Sequence, residues 1–163
     1  MKRPNRYTVP YRRKREGKTD YKKRIKLISS QMPRLVVRRT LNKIITQVTE
    51  FDIKGDRVLV GVDSTELKKL GWQGSVKNIP AAYMTGYLIG KKSIAKKINE
   101  AVLDLGFCTS VKGAKIYAAL KGAIDAGMEI SGSEEIFPTK ERIEGKHIKQ
   151  FKNKMEEIKN KIK

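Results

Sequence analysis

About half of this chain's net charge lies in its first sixth, in a stretch that has almost nothing to build a core from. Residues 2–26 hold twelve basic residues, Lys2, Arg3, Arg6, Arg12, Arg13, Lys14, Arg15, Lys18, Lys22, Lys23, Arg24 and Lys26, against Glu16 and Asp20. That is a net +10 out of +20 for all 163 residues. Residues 27–145 carry eighteen bases and thirteen acids, close to an ordinary soluble domain, and 146–163 carry seven lysines against Glu156 and Glu157. A small domain stays soluble with a net charge of about 2 to 8 in magnitude. An excess this large calls for a polyanion, and nucleic acid is the first choice.

The opening residues contain Pro4, Pro10 and Gly17 and few aliphatic side chains, so they are expected not to fold alone. Tyr7 and Tyr11 sit among arginines. A tyrosine ring stacks on an unpaired base, and the guanidinium fork matches phosphate oxygens, so the pattern favours RNA over a merely solubilising or import-type tail. One cysteine and one histidine build neither an internal disulfide nor a zinc site. No apolar run reaches a membrane span and the opening residues lack a signal-peptide apolar region, so a cytoplasmic protein with no membrane partner is expected.

The middle reads as an α/β domain. Thr19 or Asp20 caps a helix to about Ser29, with Tyr21, Ile25 and Ile28 as a narrow apolar stripe. Val- and Ile-rich runs bounded by Asn and Gly turns predict three strands, 34–40, 44–52 and 57–62. Asn78 caps a long helix with Pro80 in its first turn, running through 81–100 and burying Ala81, Met84, Leu88, Ile94 and Ile98. Residues 101–107 fit a short strand covered on both faces, and 114–126 a last core helix ended by Gly127. The order β-β-β-α-β-α, like the opening of a ribonuclease-H architecture, predicts a four-stranded mixed sheet with helices mainly on one face. The expected domains are a basic arm (1–18), an α/β core (19–145) and a Lys-rich C-terminal helix (146–163) with Ile148, Phe151, Met155, Ile158 and Ile162 at helical spacing.

Catalytic readings fare poorly. Gly86 to Lys92 lacks the glycine spacing and the preceding strand of a phosphate-binding loop, His147 stands alone in a basic tail, and Cys108 has no histidine partner in the core. Asp52, Asp63, Glu66 and Asp104 are candidate metal ligands for a nuclease, but no pair has motif-grade spacing. Trp72 lies between Gly71 and Gly74 with Lys68, Lys69 and Lys77 nearby, where it is either a lid on the core or a contact for RNA or protein. No enzyme, cofactor or small-molecule substrate is expected.

Several segments together resemble a known family: the arm 6–24 (RYTVPYRRKREGKTDYKKR), then 33–48 (PRLVVRRTLNKIITQV), 71–92 (GWQGSVKNIPAAYMTGYLIGKK), 101–107 (AVLDLGF), 112–127 (KGAKIYAALKGAIDAG) and 133–148 (SEEIFPTKERIEGKHI). The chain is similar to the large-subunit ribosomal protein eighteen family in its longer archaeal and eukaryotic form. The resemblance implies a structural protein of the ribosome's central protuberance that joins 5S rRNA to the large rRNA, with neighbouring large-subunit proteins as further partners. By the same resemblance the arm, at Arg3, Arg6, Tyr7, Tyr11, Arg12, Arg13, Lys14, Arg15 and Lys18, runs along RNA. Arg38, Arg39, Thr40, Asn42 and Lys43 match an RNA-facing hairpin. Lys2, Lys22, Lys23 and Trp72 complete the candidate contacts, and Lys112, Lys115 and Lys121 flank the last core helix. The nonspecific alternative is a basic protein with no preference among nucleic acids.

Overall fold

The computed structural model describes residues 8–148 and 155–162. Three strands form a meander, β1 (Arg34–Arg39), β2 (Ile44–Glu50) and β3 (Arg57–Asp63), with antiparallel pairing of Leu35 to Val48 and of Val48 to Val60. After α3 (Glu66–Lys69) and α4 (Ile79–Ala95), β4 (Val102–Asp104) returns parallel to β1, giving the order β3-β2-β1-β4. The last core helix is α5 (Lys115–Asp125), so the four-stranded mixed α/β sheet is as expected. No helix among the described residues is long and apolar enough to cross a membrane.

Strand alternation gives the sheet two different faces. Leu35 and Val37, Ile44 and Val48, and Val60 and Val62 point into the core against α4 and α5. Each such buried aliphatic side chain contributes about 1.5–3 kcal/mol relative to exposure. Asn78 caps α4 by accepting from Ala81 N–H at 2.9 Å, with Pro80 in the first turn. The helix stops at Ala95, short of the expected 100, because Lys97 turns left-handed (φ 63) and Ile98 N–H bonds back to Ser93 O at 3.0 Å. α4 and α5 pack almost backbone to backbone: a Cβ on Gly86 would lie 1.9 Å from Ala119 O, and one on Gly122 would lie 2.0 Å from Tyr83 O.

The opposite face carries Arg34, Val36 and Arg38 of β1, Gln47 and Thr49 of β2, Val58 of β3 and Asp104 of β4, and α2 (Tyr21–Ile28) lies against it. Asp20 caps α2, accepting from the N–H groups of Lys22 and Lys23. The expected apolar stripe holds this helix only in part, since Tyr21 and Ile28 are half-buried but Ile25 is 67% exposed. An ion ladder and half-buried Leu27 supply the rest. Arg24 grips Asp56 with both guanidinium nitrogens at 2.7 Å, Arg34 Nη2 lies 2.8 Å from Asp56 Oδ2, and Arg34 Nη1 donates to Asp104 Oδ2 at 3.2 Å. Arg38 closes the series, donating to Asp104 O at 3.3 Å. Gly106, whose N–H bonds Asp104 Oδ1 at 2.7 Å, is where Arg38 lies flat: an added Cβ would meet its guanidinium at 2.8 Å.

Two further expectations change. The strand over 101–107 shortens to three residues because Leu105–Cys108 forms a turn (Cys108 N–H to Leu105 O, 3.2 Å), and as the sheet's end strand β4 is only half-covered. Of the helix expected over 146–163, the described residues give α7 (Met155–Lys161), 146–148 are not helical and 149–154, Phe151 among them, lie outside the described residues; before it, α6 (Lys140–Glu144) ends at Gly145. Ile158 and Ile162 are buried in the chain's own core, so their apolar surface is already used. Lys159 Nζ donates to Tyr83 Oη at 2.9 Å and sits over the Tyr83 and Tyr87 rings, while Tyr83 Oη donates to Asp125 at 2.7 Å. Burial, with Asp125 beside it, pushes the Tyr83 phenol well above its ordinary pKa.

Gly86→Ala should force α4 and α5 apart and cost about 3 kcal/mol, the upper end for overpacking. At about 2–4 °C per kcal/mol for a chain of this size, a thermal melt should fall by about 6–12 °C. The ladder predicts an acid response. Arg24, aided by Arg34, holds the Asp56 carboxyl down to about 2 against the opposing effect of desolvation. A depressed folded-state pKa means the contribution is complete above the ordinary value of 3.8 and is lost as pH falls through about 2. Asp56→Asn, which strands buried Arg34 with one carboxylate fewer, should cost about 3 kcal/mol at neutral pH, and the stability difference from the parent should shrink across that acid window in denaturant titrations.

Candidate nucleic-acid interface

The described part of the arm carries one turn of helix, α1 (Arg12–Arg15), whose four residues are all basic and none of which is buried. Tyr11 occupies its N-cap position, and the Tyr11 ring leans on Tyr21 at 5.1 Å between centroids. The chain then folds back: Lys18 N–H bonds Arg13 O at 2.9 Å, and Arg13 Nε donates to Thr19 Oγ1 at 2.9 Å. Glu16 holds Arg12 at 2.7 Å and Lys18 at 2.8 Å, which keeps its carboxyl below the ordinary range. Lys14 and Arg15 make no ion pair among the described residues.

This fold-back carries the arm to the sheet. Arg13, Lys18, Lys23 and Arg38 line one cleft together with Arg24 and Arg34 of the ladder, so residues from the arm, α2 and β1 converge. Three carboxylates, Asp20, Asp56 and Asp104, share that cleft, and six bases leave it an excess of three positive charges. Asp56 and Asp104 are engaged by Arg24, Arg34 and Arg38, Lys18 is held by Glu16 and Lys23 Nζ lies 3.9 Å from Asp20, which leaves Arg13 without an ion pair among the described residues.

Arg39 follows Arg38 and by strand alternation leaves through the other face. It lines a second cleft at the tip of the β1–β2 hairpin with Thr40, Leu41, Ile44, Lys77 and Lys115. The tip is rigid: Thr40 Oγ1 accepts from Lys43 N–H at 3.0 Å, and Thr40 N–H bonds Lys43 O at 2.9 Å. It projects Leu41 (88% exposed) and Asn42. Lys43 is not free for an outside anion, since its ammonium is bonded to Asp63. Burial raises the Asp63 pKa, but Lys43 and the Thr65 N–H outweigh it and hold the carboxyl low.

Of the candidate contacts, Lys2, Arg3, Arg6 and Tyr7 lie outside the described residues. Tyr11, Arg12, Arg13, Lys14, Arg15, Lys18, Lys22, Lys23 and Arg39 are exposed. The reading of Trp72 as an RNA contact is corrected: it is 4% exposed, donates from Nε1 to Ser75 O at 3.2 Å and belongs to the core, leaving no ring face for a base. Reading by sequence missed Arg24 and Arg34, because their partners are 32 and 70 residues away. It also missed that Lys77 and Lys115 meet at the hairpin tip.

Three of the four candidate metal ligands are engaged by the chain's own cations, Asp63 by Lys43, Glu66 by Lys92 at 2.7 Å and Asp104 by Arg34, and Asp52 accepts from Lys54 N–H at 3.3 Å. No group of three metal-ligating side chains occurs among the described residues. The geometry therefore presents arginine and lysine to an extended anion and no assembled reaction centre.

The family model for ribosomal large-subunit proteins 60S L5 and 50S L18 matches residues 5–101, which include the arm, the meander and α4. A relative from Korarchaeum cryptofilum (strain OPF8), large ribosomal subunit protein uL18, is 50% identical over 157 residues, spanning 96% of this chain and 80% of the relative. This is a structural family, not an enzyme family. With a basic arm folded onto an arginine-bearing sheet and likeness along nearly its whole length, the chain belongs to the family of ribosomal large-subunit proteins L5 and L18, as a structural constituent of the large subunit.

Proposed function

We propose that this chain binds 5S rRNA and helps attach it to the large rRNA in the central protuberance, working ribosome-bound in the cytoplasm. The observation that carries the reading is the convergence of arm and sheet on one basic cleft, with a second basic cleft on the other side of the same strand end. A protein with two such surfaces is suited to hold two RNA elements at once.

In this reading the arm tracks the sugar–phosphate backbone. Lys2, Arg3, Arg6, Arg12, Arg13, Lys14, Arg15 and Lys18, continued by Lys22 and Lys23, neutralise phosphates and release counterions, while Tyr7 and Tyr11 stack on unpaired bases. Arg38 meets the same RNA from the sheet. Arg39, Thr40 and Asn42 serve the second cleft with Lys77 and Lys115. Lys43 stiffens the hairpin through Asp63 rather than touching RNA. Selectivity comes from RNA shape, 2′-hydroxyls and splayed loop bases, because the narrow deep groove of A-form RNA hides base edges.

Competition binding at about 150 mM salt checks this directly. Labelled 5S rRNA should resist excess transfer RNA and a scrambled RNA of equal length by about a hundredfold or more. Equal competition by all three would make the chain a nonspecific nucleic-acid binder. Lys14→Ala and Arg15→Ala should each reduce the slope of log affinity against log salt by about 0.7–0.9. Deleting residues 1–18 should weaken binding strongly and leave the melting temperature nearly unchanged, since no residue of α1 is buried.

A further inference from the structure

The sheet ends at β4, and its outer edge is only partly covered. Just before the strand, Glu129 runs alongside as a parallel bridge: its N–H bonds Asn99 O at 2.8 Å, and Ala101 N–H bonds Glu129 O at 3.3 Å. Val102 N–H then points inward to Pro33 O at 2.9 Å. By alternation the N–H and C=O of Leu103 point outward again, where the sheet has no further strand. Exposed strand edges are templates for pairing, and proteins normally blunt or cover them.

Beside this edge is a cleft with an apolar floor and a basic rim. Leu27 of α2 lines it with Leu103, Asp104, Leu105 and Gly106, Asp104 being engaged by Arg34 and Arg38, and Lys23 and Lys26 stand over it from the same helix. Lys26 makes no ion pair among the described residues. Phe107, next to the cleft's Gly106, is 50% exposed. The edge is polarised, with Glu100 and Glu129 at the Ala101 end and the two lysines at the Leu105 end.

We propose that the outer edge of β4 and the leucine-floored cleft beside α2 take an extended, acidic segment of a neighbouring large-subunit protein, which adds to the sheet as a fifth strand. Its main chain pairs with Leu103, alternate apolar side chains enter the cleft beside Leu27 and Leu105, and its carboxylates lie at the Lys26 end, away from Glu100 and Glu129, with Lys23 left to the RNA of the arm's cleft. Main-chain pairing supplies affinity, and alternate side-chain pockets supply selectivity, as in other strand-addition contacts. An RNA backbone fits this place less well than the arm's cleft, because the floor is leucine and the main-chain groups match those of a peptide.

The inference rests on residence in the large subunit, not on the RNA contacts proposed above. To test it, the full chain carrying Phe107→p-benzoylphenylalanine is incorporated into large subunits, purified with 5S rRNA present, and irradiated. The crosslink should map to one ribosomal protein, within an extended segment bearing Asp or Glu. Lys26→Glu, on an exposed position, should lower its yield about tenfold through like-charge repulsion, while incorporation and 5S content stay unchanged. A crosslink to rRNA, a protein crosslink indifferent to Lys26→Glu, or no crosslink would each overturn the inference. Failure to incorporate with 5S rRNA would instead count against the RNA reading, and hydrogen exchange then decides the edge: a Leu103 amide as protected in the isolated chain as the amides within β1 would mean that the edge is already closed.

Discussion

Arg34 is the residue on which the sheet's open face depends. A guanidinium 2% exposed is tolerated only where carboxylates stand against it. Asp56 from the turn before β3 and Asp104 from β4 do so from either side. Each carboxylate then recruits a second arginine, Arg24 or Arg38, so one buried charge ties α2, β1, β3 and β4 together. The basic arm consequently leaves the fold at a defined place and direction. An arm joined through apolar packing alone would have had little to grip, given that Ile25 faces solvent.

The other face is organised by size rather than charge. Gly86 and Gly122 let α4 and α5 meet at van der Waals distance, Ala81, Ala82, Ala118, Ala119 and Ala123 fill the seam, and α7 closes the outside with Ile158 and Ile162. The result is a stiff plate whose β1–β2 hairpin extends past it. Stiffness matters because Arg38 and Arg39 leave one strand end through opposite faces. A rigid strand keeps the two basic clefts in fixed relation, as the proposed joining of two RNA elements requires.

Much of this was legible in the residues. The β-branched runs of β1 to β3 and the Asn78–Pro80 helix start are local signals, and the structure follows them within a residue or two. What escaped depends on partners distant in sequence. Trp72 between two glycines reads either as a lid on the core or as an outside contact, and only its burial in the same core as Leu67 and Val76 decides for the lid. Asp104 reads as a candidate metal ligand because its arginine partner is 70 residues away in sequence. Residues 101–107 read as a covered strand because apolar composition does not report that β4 has a neighbour on one side only. For the site, the basic residues were legible, but not which are already engaged. Lys43 looks as free as Lys14 in the sequence, yet Asp63 holds it.

The central claim is that the ladder sets the arm for RNA. Changing its outer rung at Arg24, which leaves Asp56 on the buried Arg34, tests this most directly, by measuring stability and 5S rRNA affinity for Arg24→Asp and for Arg24→Lys. Arg24→Asp places like charges against each other and should lower both stability and 5S affinity, and Arg24→Lys, which keeps the charge, should retain much of both. Single variants that lose stability while binding 5S rRNA as tightly as the parent would contradict the claim, because the arm would then find its RNA without the sheet's help.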